Sequence, residues 1–292
     1  MNLYSAKEMT LLLERHGFFF KKNLGQNFLM NENTALRIAQ SSLETIPVGK
    51  KKLAVEIGPG AGSLTLPLSR LFDRVLALEL DPHLIPVLEE SLSGRENVKV
   101  LNVDALLFDY STLTDLFPDY AIAVCSNLPY YITSQIIMRL LESGVKISSL
   151  TVLIQKEAAR RLASLPGSED YGAITAAVSY HAKAETLFTV GPGNFIPRPK
   201  VDSMVLRLIP HEKPPVSVQS EKMLFNVIRA AFSARRKTIT NALFQIFSSR
   251  LSKEEIQDRL HTISLDSNRR GETMTLLEFA KIADIFTDFE EC

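Results

Sequence analysis

From Leu53 onward the apolar positions switch between two periods. Leu53–Ile57, Arg74–Leu80, Val98–Val103, Tyr120–Cys125 and Ser149–Gln155 are short apolar runs bounded by polar or glycine-rich stretches, as buried strands are. Between them the spacing turns helical. Ser63–Phe72 carries Leu64, Leu68 and Leu71 on one side, Asp81-Pro82 opens another helix, and Thr133–Glu142 is a third. Strands alternating with helices predict βαβ units and a doubly wound parallel sheet. Two later apolar runs, Thr186–Val190 and Met204–Ile209, extend it as a hairpin-like pair around the Pro/Gly loop 191–200. Ahead of this region, Ser5 and Glu8 form a candidate capping box, Leu11–Leu13 an apolar side, and Gly17 a C-cap. A polar loop through Lys21–Leu29 follows, then a helix over about 32–42. Beyond the Pro210–Pro215 linker everything is helical in pattern. Leu224, Phe225, Val227, Ile228, Ala231 and Phe232 share one face, and Arg229, Ser233, Arg236 and Thr240 the other. The pattern gives two domains, 1–210 and 211–292.

A chain of 292 residues with 46% hydrophobic and 23% charged residues is ordinary for a globular protein, which excludes a disordered or collagen-like chain. No apolar stretch reaches the roughly 18 residues that span a bilayer, and the N-terminal apolar patches are split by Glu14, Arg15 and His16, unlike a signal peptide. Two cysteines, Cys125 and Cys292, make no disulfide framework, and no Cys/His group has zinc spacing, so a reducing cytoplasmic setting without metal is expected. The 33 basic and 33 acidic residues balance overall but not locally. Residues 1–52 hold eight Lys/Arg against four Asp/Glu, and residues 221–250 hold six against one. Such segments fit local binding of a polyanion, and equally the ordinary fluctuation of charge along a chain.

Glu56-Ile57-Gly58-Pro59-Gly60-Ala61-Gly62 follows a strand and opens a helix, the place where open α/β sheets bind ligands. Glycines there allow close backbone approach. Glu79 ends the next strand 21 residues after Gly58, the distance at which an acidic side chain meets ribose hydroxyls, and Asp104 ends the third strand, where a carboxylate can accept from an adenine amino group. The spacing G-x-G-x-G lacks the third glycine of a dinucleotide site. An adenosine ligand without phosphates, S-adenosylmethionine, fits better than a nicotinamide dinucleotide.

Asn127-Leu128-Pro129-Tyr130 ends the fourth strand. It resembles the Asn/Asp-Pro-Pro-Tyr motif of methyltransferases acting on exocyclic amino groups. With Leu24–Leu29, Glu56–Gly62, Pro197–Ser203 and Arg229–Lys237, it makes the chain similar, over about residues 5–290, to the small-subunit rRNA adenine N6,N6-dimethyltransferase family. The resemblance implies a Rossmann-like class I S-adenosylmethionine-dependent methyltransferase domain with a small all-α C-terminal domain. It implies that Asn27 and Leu29 help close the cofactor site with Gln26 beside them, that Gly58 approaches the methionine part with Gly60 also binding the cofactor, that Glu79 and Asp104 take the ribose and adenine, and that Asn127 spans cofactor and substrate. Asn127 and the Leu128 carbonyl would accept the two N6 hydrogens of a target adenine, with Pro129 stiffening the loop and Tyr130 offering a stacking face. An aromatic at Phe195 would cover the other face of the base, whereas Tyr131 reads as packing. Val103 stands where the family usually has glycine, which puts local geometry in doubt.

The implied substrate is a pair of adjacent adenosines in a hairpin loop near the 3′ end of small-subunit rRNA, met on the assembling subunit by a monomer. Arg229, Arg235, Arg236 and Lys237, expected on one helix, would hold its phosphates. Three other readings stand beside this one. A related family methylating large-subunit rRNA shares the catalytic motifs. A non-catalytic RNA-binding assembly or transcription factor uses the same scaffold. An NAD oxidoreductase is disfavoured by the loop spacing.

Overall fold

The structure, a computed structural model, describes residues 1–20, 25–233 and 236–289. In chain order the elements are α1 (Ala6–Arg15), β1 (Phe28–Leu29), α2 (Glu32–Leu43), β2 (Lys51–Ile57), α3 (Thr65–Leu71), β3 (Arg74–Glu79), α4 (Ile85–Ser91), β4 (Val98–Asn102), α5 (Thr112–Leu116), β5 (Tyr120–Asn127), α6 (Thr133–Glu142) and β6 (Ile147–Gln155). They continue with α7 (Lys156–Leu162), α8 (Ala173–His181), β7 (Ala182–Val190), β8 (Phe195–Ile196), β9 (Ser203–Pro210), α9 (Glu221–Ser233), α10 (Ile239–Phe247), α11 (Lys253–Thr262) and α12 (Leu276–Ile285).

Seven strands form one sheet in the order β4-β3-β2-β5-β6-β9-β7. The five from β2 to β6 run parallel, and β9 lies antiparallel on β6. The central strands are mostly apolar because helices cover both faces of a parallel sheet. Leu53, Ala54 and Val55 of β2, and Ala123, Val124 and Cys125 of β5, are fully buried. The order reverses between β2 and β5, which opens a crevice at their carboxyl ends. The predicted strands and the hairpin-like pair are all present.

The chain divides into two compact units, Met1–Ala159 with Ala184–Pro210, and Arg160–Lys183 with His211–Cys292. The break at Pro210 coincides with the Pro-rich linker. Residues 160–183, which the sequence pattern leaves in the first domain, belong instead to the helical unit. Tyr171, Ala176 and Tyr180 join a core with Met223, Leu224, Val227, Ile228 and Phe279, and the Tyr180 hydroxyl donates to Glu221 at 2.8 Å. Apolar burial overrides sequence proximity here.

Local signals hold with one exception. Asn31, Thr238 and Ser252 cap α2, α10 and α11 through side-chain oxygens, and Gly17 ends α1 with φ 62°. Ser5 accepts from the Glu8 amide at 3.5 Å, but the Glu8 carboxylate turns to the Asn2 amide at 2.7 Å rather than closing a capping box.

One packing contact in the helical unit is tight enough to test. A Cβ built on Gly271 would lie 2.6 Å from the Ala231 carbonyl oxygen of α9 and 2.8 Å from its methyl. Backbone cannot yield as a flexible side chain does. Gly271→Ala should therefore destabilise the helical unit by about 1–3 kcal/mol. Chemical denaturation followed by far-ultraviolet circular dichroism checks this, and an unaltered midpoint would refute the contact.

Candidate active site

The crevice at the carboxyl ends of β2, β3 and β5 lies within the first unit. Gly25–Leu29, Glu56–Ala61, Leu78–Leu80, Val103–Ala105 and Asn127–Ile132 line it. Every predicted cofactor residue is among them: Gln26, Asn27, Leu29, Gly58, Gly60, Glu79, Asp104 and Asn127. Leu128, Pro129 and Tyr130 line the same space. Three carboxylates, Glu56, Glu79 and Asp104, border the crevice, and among the described residues no Lys, Arg or His does.

The glycine loop leaves β2 through left-handed backbone, with φ 67° at Gly58 and 61° at Gly60. The two glycines serve different neighbours. A Cβ on Gly58 would meet nothing within 4 Å, so this position opens on the crevice. A Cβ on Gly60 would come within 2.9 Å of the Phe28 ring, so the second glycine makes room for protein. The Gly60 amide donates to Glu79 at 3.2 Å, and the Asp81 amide donates to the other Glu79 oxygen at 2.8 Å. These bonds fix the carboxylate at the end of β3. Burial nevertheless pushes the Glu79 carboxyl up to about 7, against the pull of those two amides. Asp104 caps its own turn, accepting from the Leu106 amide at 2.8 Å. Val103 causes no strain, since among the described non-glycine residues only Ser264 has a positive φ.

The segment Gly25–Leu29 forms a strap across the crevice. β1 pairs antiparallel with β8, Phe28 opposite Ile196 and Leu29 opposite Phe195. Gln26 Nε2 donates to Asp81 at 3.3 Å, and Asn127 Nδ2 donates to the Asn27 carbonyl at 2.8 Å. The strap thus touches both ends of the crevice. The Ser126 hydroxyl donates to the Ile57 carbonyl, joining the ends of β5 and β2. The Leu128 amide donates to Leu153 at 3.1 Å, which sets the start of the Asn-Leu-Pro-Tyr loop. Tyr130 is half-buried with its hydroxyl 3.2 Å from Ser203 Oγ.

Phe195 is not brought to the crevice. Its ring is 2% exposed and sits in the core with Leu29, Ile38, Val190 and Val205. Pairing opposite Leu29 turns the ring inward, so covering a base would require it to leave this packing. The expected basic helix is also interrupted. α9 ends at Ser233, and Arg236 and Lys237 are exposed in the turn before α10. Arg229 is exposed on α9, Thr240 is buried, and Arg235 lies outside the described residues.

Glu56 and Ser203 were not singled out by sequence reasoning. Ser203 is buried at the start of β9; the conspicuous signal was Glu56, a carboxylate inside an apolar strand. It is 1% exposed, and its Oε2 has no hydrogen-bond partner among the described residues; nor does the buried Ser63 hydroxyl beside the glycine loop. Burial pushes the Glu56 carboxyl up to about 8; the Thr65 hydroxyl opposes this without meeting hydrogen-bond geometry, and Glu79 adds to the rise. Orphaned polar atoms at a crevice wall fit a ligand that supplies their partners. An ammonium suits Glu56, a carboxylate suits the Ser63 hydroxyl, and ribose hydroxyls suit Glu79. S-adenosylmethionine carries all three groups.

A Rossmann-like sheet with this glycine loop and acidic strand ends defines a class I S-adenosylmethionine-dependent methyltransferase. The family model described as Ribosomal RNA adenine dimethylase matches residues 17–288, and the chain belongs to that family. It is 43% identical over 275 residues to the Ribosomal RNA small subunit methyltransferase A of Shouchella clausii, covering 94% of this chain and 92% of that one. The protein of the same name from Listeria innocua is 39% identical over 284 residues, covering 96% and 95%. Among solved structures, a dimethyladenosine transferase from Plasmodium falciparum shares the fold, with TM-score 0.72 and 23% identity over 89% of this chain and 98% of that one. The 23S rRNA methyltransferase ErmE aligns with TM-score 0.64 and 25% identity over 89% and 99%. Among the described residues no helix is long and apolar enough to cross a membrane, and no group of three metal-ligating side chains assembles.

The buried carboxyl of Glu56 makes stability depend on pH. A carboxyl raised from 4.5 to about 8 on folding contributes most stability below pH 4.5 and loses it as pH rises through about 8. Glu56→Gln removes that loss. In the cofactor-free protein the variant should gain stability over wild type between about pH 5 and about pH 8, by on the order of a few kcal/mol at the upper end. Urea unfolding at both pH values measures the gain; a constant difference would rule it out.

Proposed function

We propose that the chain transfers methyl groups from S-adenosylmethionine to N6 of two adjacent adenosines in a hairpin loop near the 3′ end of small-subunit rRNA, giving N6,N6-dimethyladenosine during ribosome assembly in the cytoplasm. One observation carries the reading: the Asn-Leu-Pro-Tyr loop and the cofactor residues face a single crevice. The names of the relatives support the choice of the small subunit.

Adenine N6 is a weak nucleophile because its lone pair is delocalised into the ring. Asn127 Oδ1 and the Leu128 carbonyl accept its two hydrogens, which draws the nitrogen toward a tetrahedral shape and aims its lone pair. When bound, S-adenosylmethionine would supply an electrophilic methyl on a positively charged sulfur, toward which Asn127 and Leu128 aim the nitrogen lone pair. Glu79 and Asp104 hold the ribose and adenine of the cofactor, Gly58 and Glu56 meet its methionine part, and Gln26, Asn27 and Leu29 close over it. Pro129 has no N–H and stiffens the loop. Tyr130, tethered by Ser203, stacks on the target base, worth roughly 1–3 kcal/mol. No strong base is required, since the methylated nitrogen gives up its proton readily to water. Positioning supplies most of the rate. The target must be unstacked to enter, which is cheapest in a loop. Arg229, Arg236 and Lys237 bind phosphates and set no sequence preference.

Asn127→Ala should slow single-turnover methyl transfer to small-subunit RNA by on the order of 10²–10³ while RNA affinity stays close to wild type. A normal rate in this variant would move the chemistry to another loop, and methyl found only on large-subunit RNA would reassign the substrate. Arg236→Ala combined with Lys237→Ala should weaken RNA binding and flatten the dependence of log K on log salt by about two phosphate contacts, leaving cofactor affinity intact. An unchanged slope would make these residues a solvated turn.

A further inference from the structure

An amide has a donor end and an acceptor end, and its orientation decides which it offers. At Asn127 one hydrogen bond makes that choice: Nδ2 donates to the main-chain carbonyl of Asn27 at 2.8 Å. The donor end is therefore spent on the strap, and Oδ1 remains for the crevice that Asn127 lines. The strap is held where it can do this. Asn27 Nδ2 donates to the Gly25 carbonyl at 2.9 Å, bending the chain so that its own carbonyl faces β5. Gly25, with φ 58°, lies against the loop, its Cβ direction 3.8 Å from Pro129 and 3.9 Å from the Tyr130 amide. Phe28 and Leu29 pair with Ile196 and Phe195, and Gln26 reaches Asp81, so the strap is tied down on both sides of Asn27.

We propose that the Asn27 main-chain carbonyl is a positioning group for methyl transfer: it orients the Asn127 amide as an acceptor toward the adenine amino group and excludes a carboxylate from position 127. The inference rests on the methyl-transfer reading above. The motif this loop resembles admits Asn or Asp at that position, whereas this strap admits only the side chain with a donor. An ionised aspartate introduced there would set an anionic oxygen against a carbonyl oxygen at hydrogen-bond distance. Protonated, it would restore the arrangement, donating to Asn27 through one oxygen and accepting from adenine through the other. The titratable and charged groups around it act the same way or are already paired. Asp104 after β4 opposes a further negative charge, and Glu56 of β2 and Glu79 of β3, both raised by burial, are neutral toward the acid end and oppose it only as they ionise. Burial raises the Tyr131 hydroxyl and the Cys125 thiol, which stay neutral, the Tyr130 hydroxyl lies 3.2 Å from Ser203 Oγ, and Lys156 at the end of β6 is paired with Asp202 at 3.1 Å. Burial at the crevice wall and the facing Asn27 carbonyl oxygen hold the introduced carboxyl above a free aspartic acid, against the pull of the cofactor's positive charge.

The test is Asn127→Asp, read as the ratio of its single-turnover rate to that of wild type at saturating cofactor across pH. Near pH 8 the ratio should be down by on the order of 10²–10³. Toward about pH 5.5 it should recover by about tenfold or more as the carboxyl takes its proton. A ratio that is flat with pH, or near wild type at pH 8, overturns the inference; wild type that transfers no methyl to small-subunit RNA at any pH overturns the function instead. Cofactor affinity and far-ultraviolet circular dichroism report whether the variant is folded. Should it not fold, the wild-type protein decides the matter by nuclear magnetic resonance. One Asn127 Nδ2 proton should exchange slowly with solvent and show a cross-peak to the Asn27–Phe28 backbone. Fast exchange of both protons overturns the inference.

Discussion

The side-by-side parallel pairing of β2 and β5 is the constraint from which the site follows. The register runs from Lys51 opposite Tyr120 to Glu56 opposite Cys125, and the Ser126 hydroxyl closes it on the Ile57 carbonyl. That pairing brings the glycine loop and the Asn-Leu-Pro-Tyr loop out of the sheet at one level, although 69 residues separate Ile57 from Ser126. A slip of one residue would turn every buried side chain of β5 to the opposite face and carry Asn127 with it. The buried Leu, Ala and Val of both strands therefore hold the reacting residues in place as firmly as any hydrogen bond within the site.

The strap adds what the sheet cannot. A crevice at strand ends is open on its outer side, and Gly25–Leu29 covers it while remaining part of a two-stranded ribbon with β8. Phe28 packs over Gly60, Gln26 bonds Asp81 next to Glu79, and Asn27 bonds Asn127. Three contacts from three consecutive residues tie the glycine loop, the turn after β3 and the Asn127 amide to one element.

Much of this was legible in the sequence because its signals are local. Periodicity gave the parallel strands, and glycine and carboxylate positions at successive strand ends gave the cofactor crevice. Long-range packing was not legible. Nothing in the run Tyr171–Tyr180 announces that it joins the C-terminal core, since an apolar helix fits either unit. Phe195 drew attention as an aromatic in a Pro/Gly loop, yet its inward orientation is set by a partner strand 166 residues earlier in the chain, at Leu29. The apolar and basic pattern around Arg229–Lys237 suggested one continuous helix, whereas the chain turns after Ser233 and Thr238 caps a new one. Glu56 was visible only as an oddity, and its lack of a partner required coordinates.

The charge of the crevice wall has a consequence for how a polyanion can use it. Glu56, Glu79 and Asp104 line it, with no basic side chain among the described lining residues. An anionic group entering the crevice would meet acidic side chains with no counter-charge among the lining residues, whereas an uncharged heterocycle would not. The wall thus favours a cationic or uncharged ligand over an anionic one.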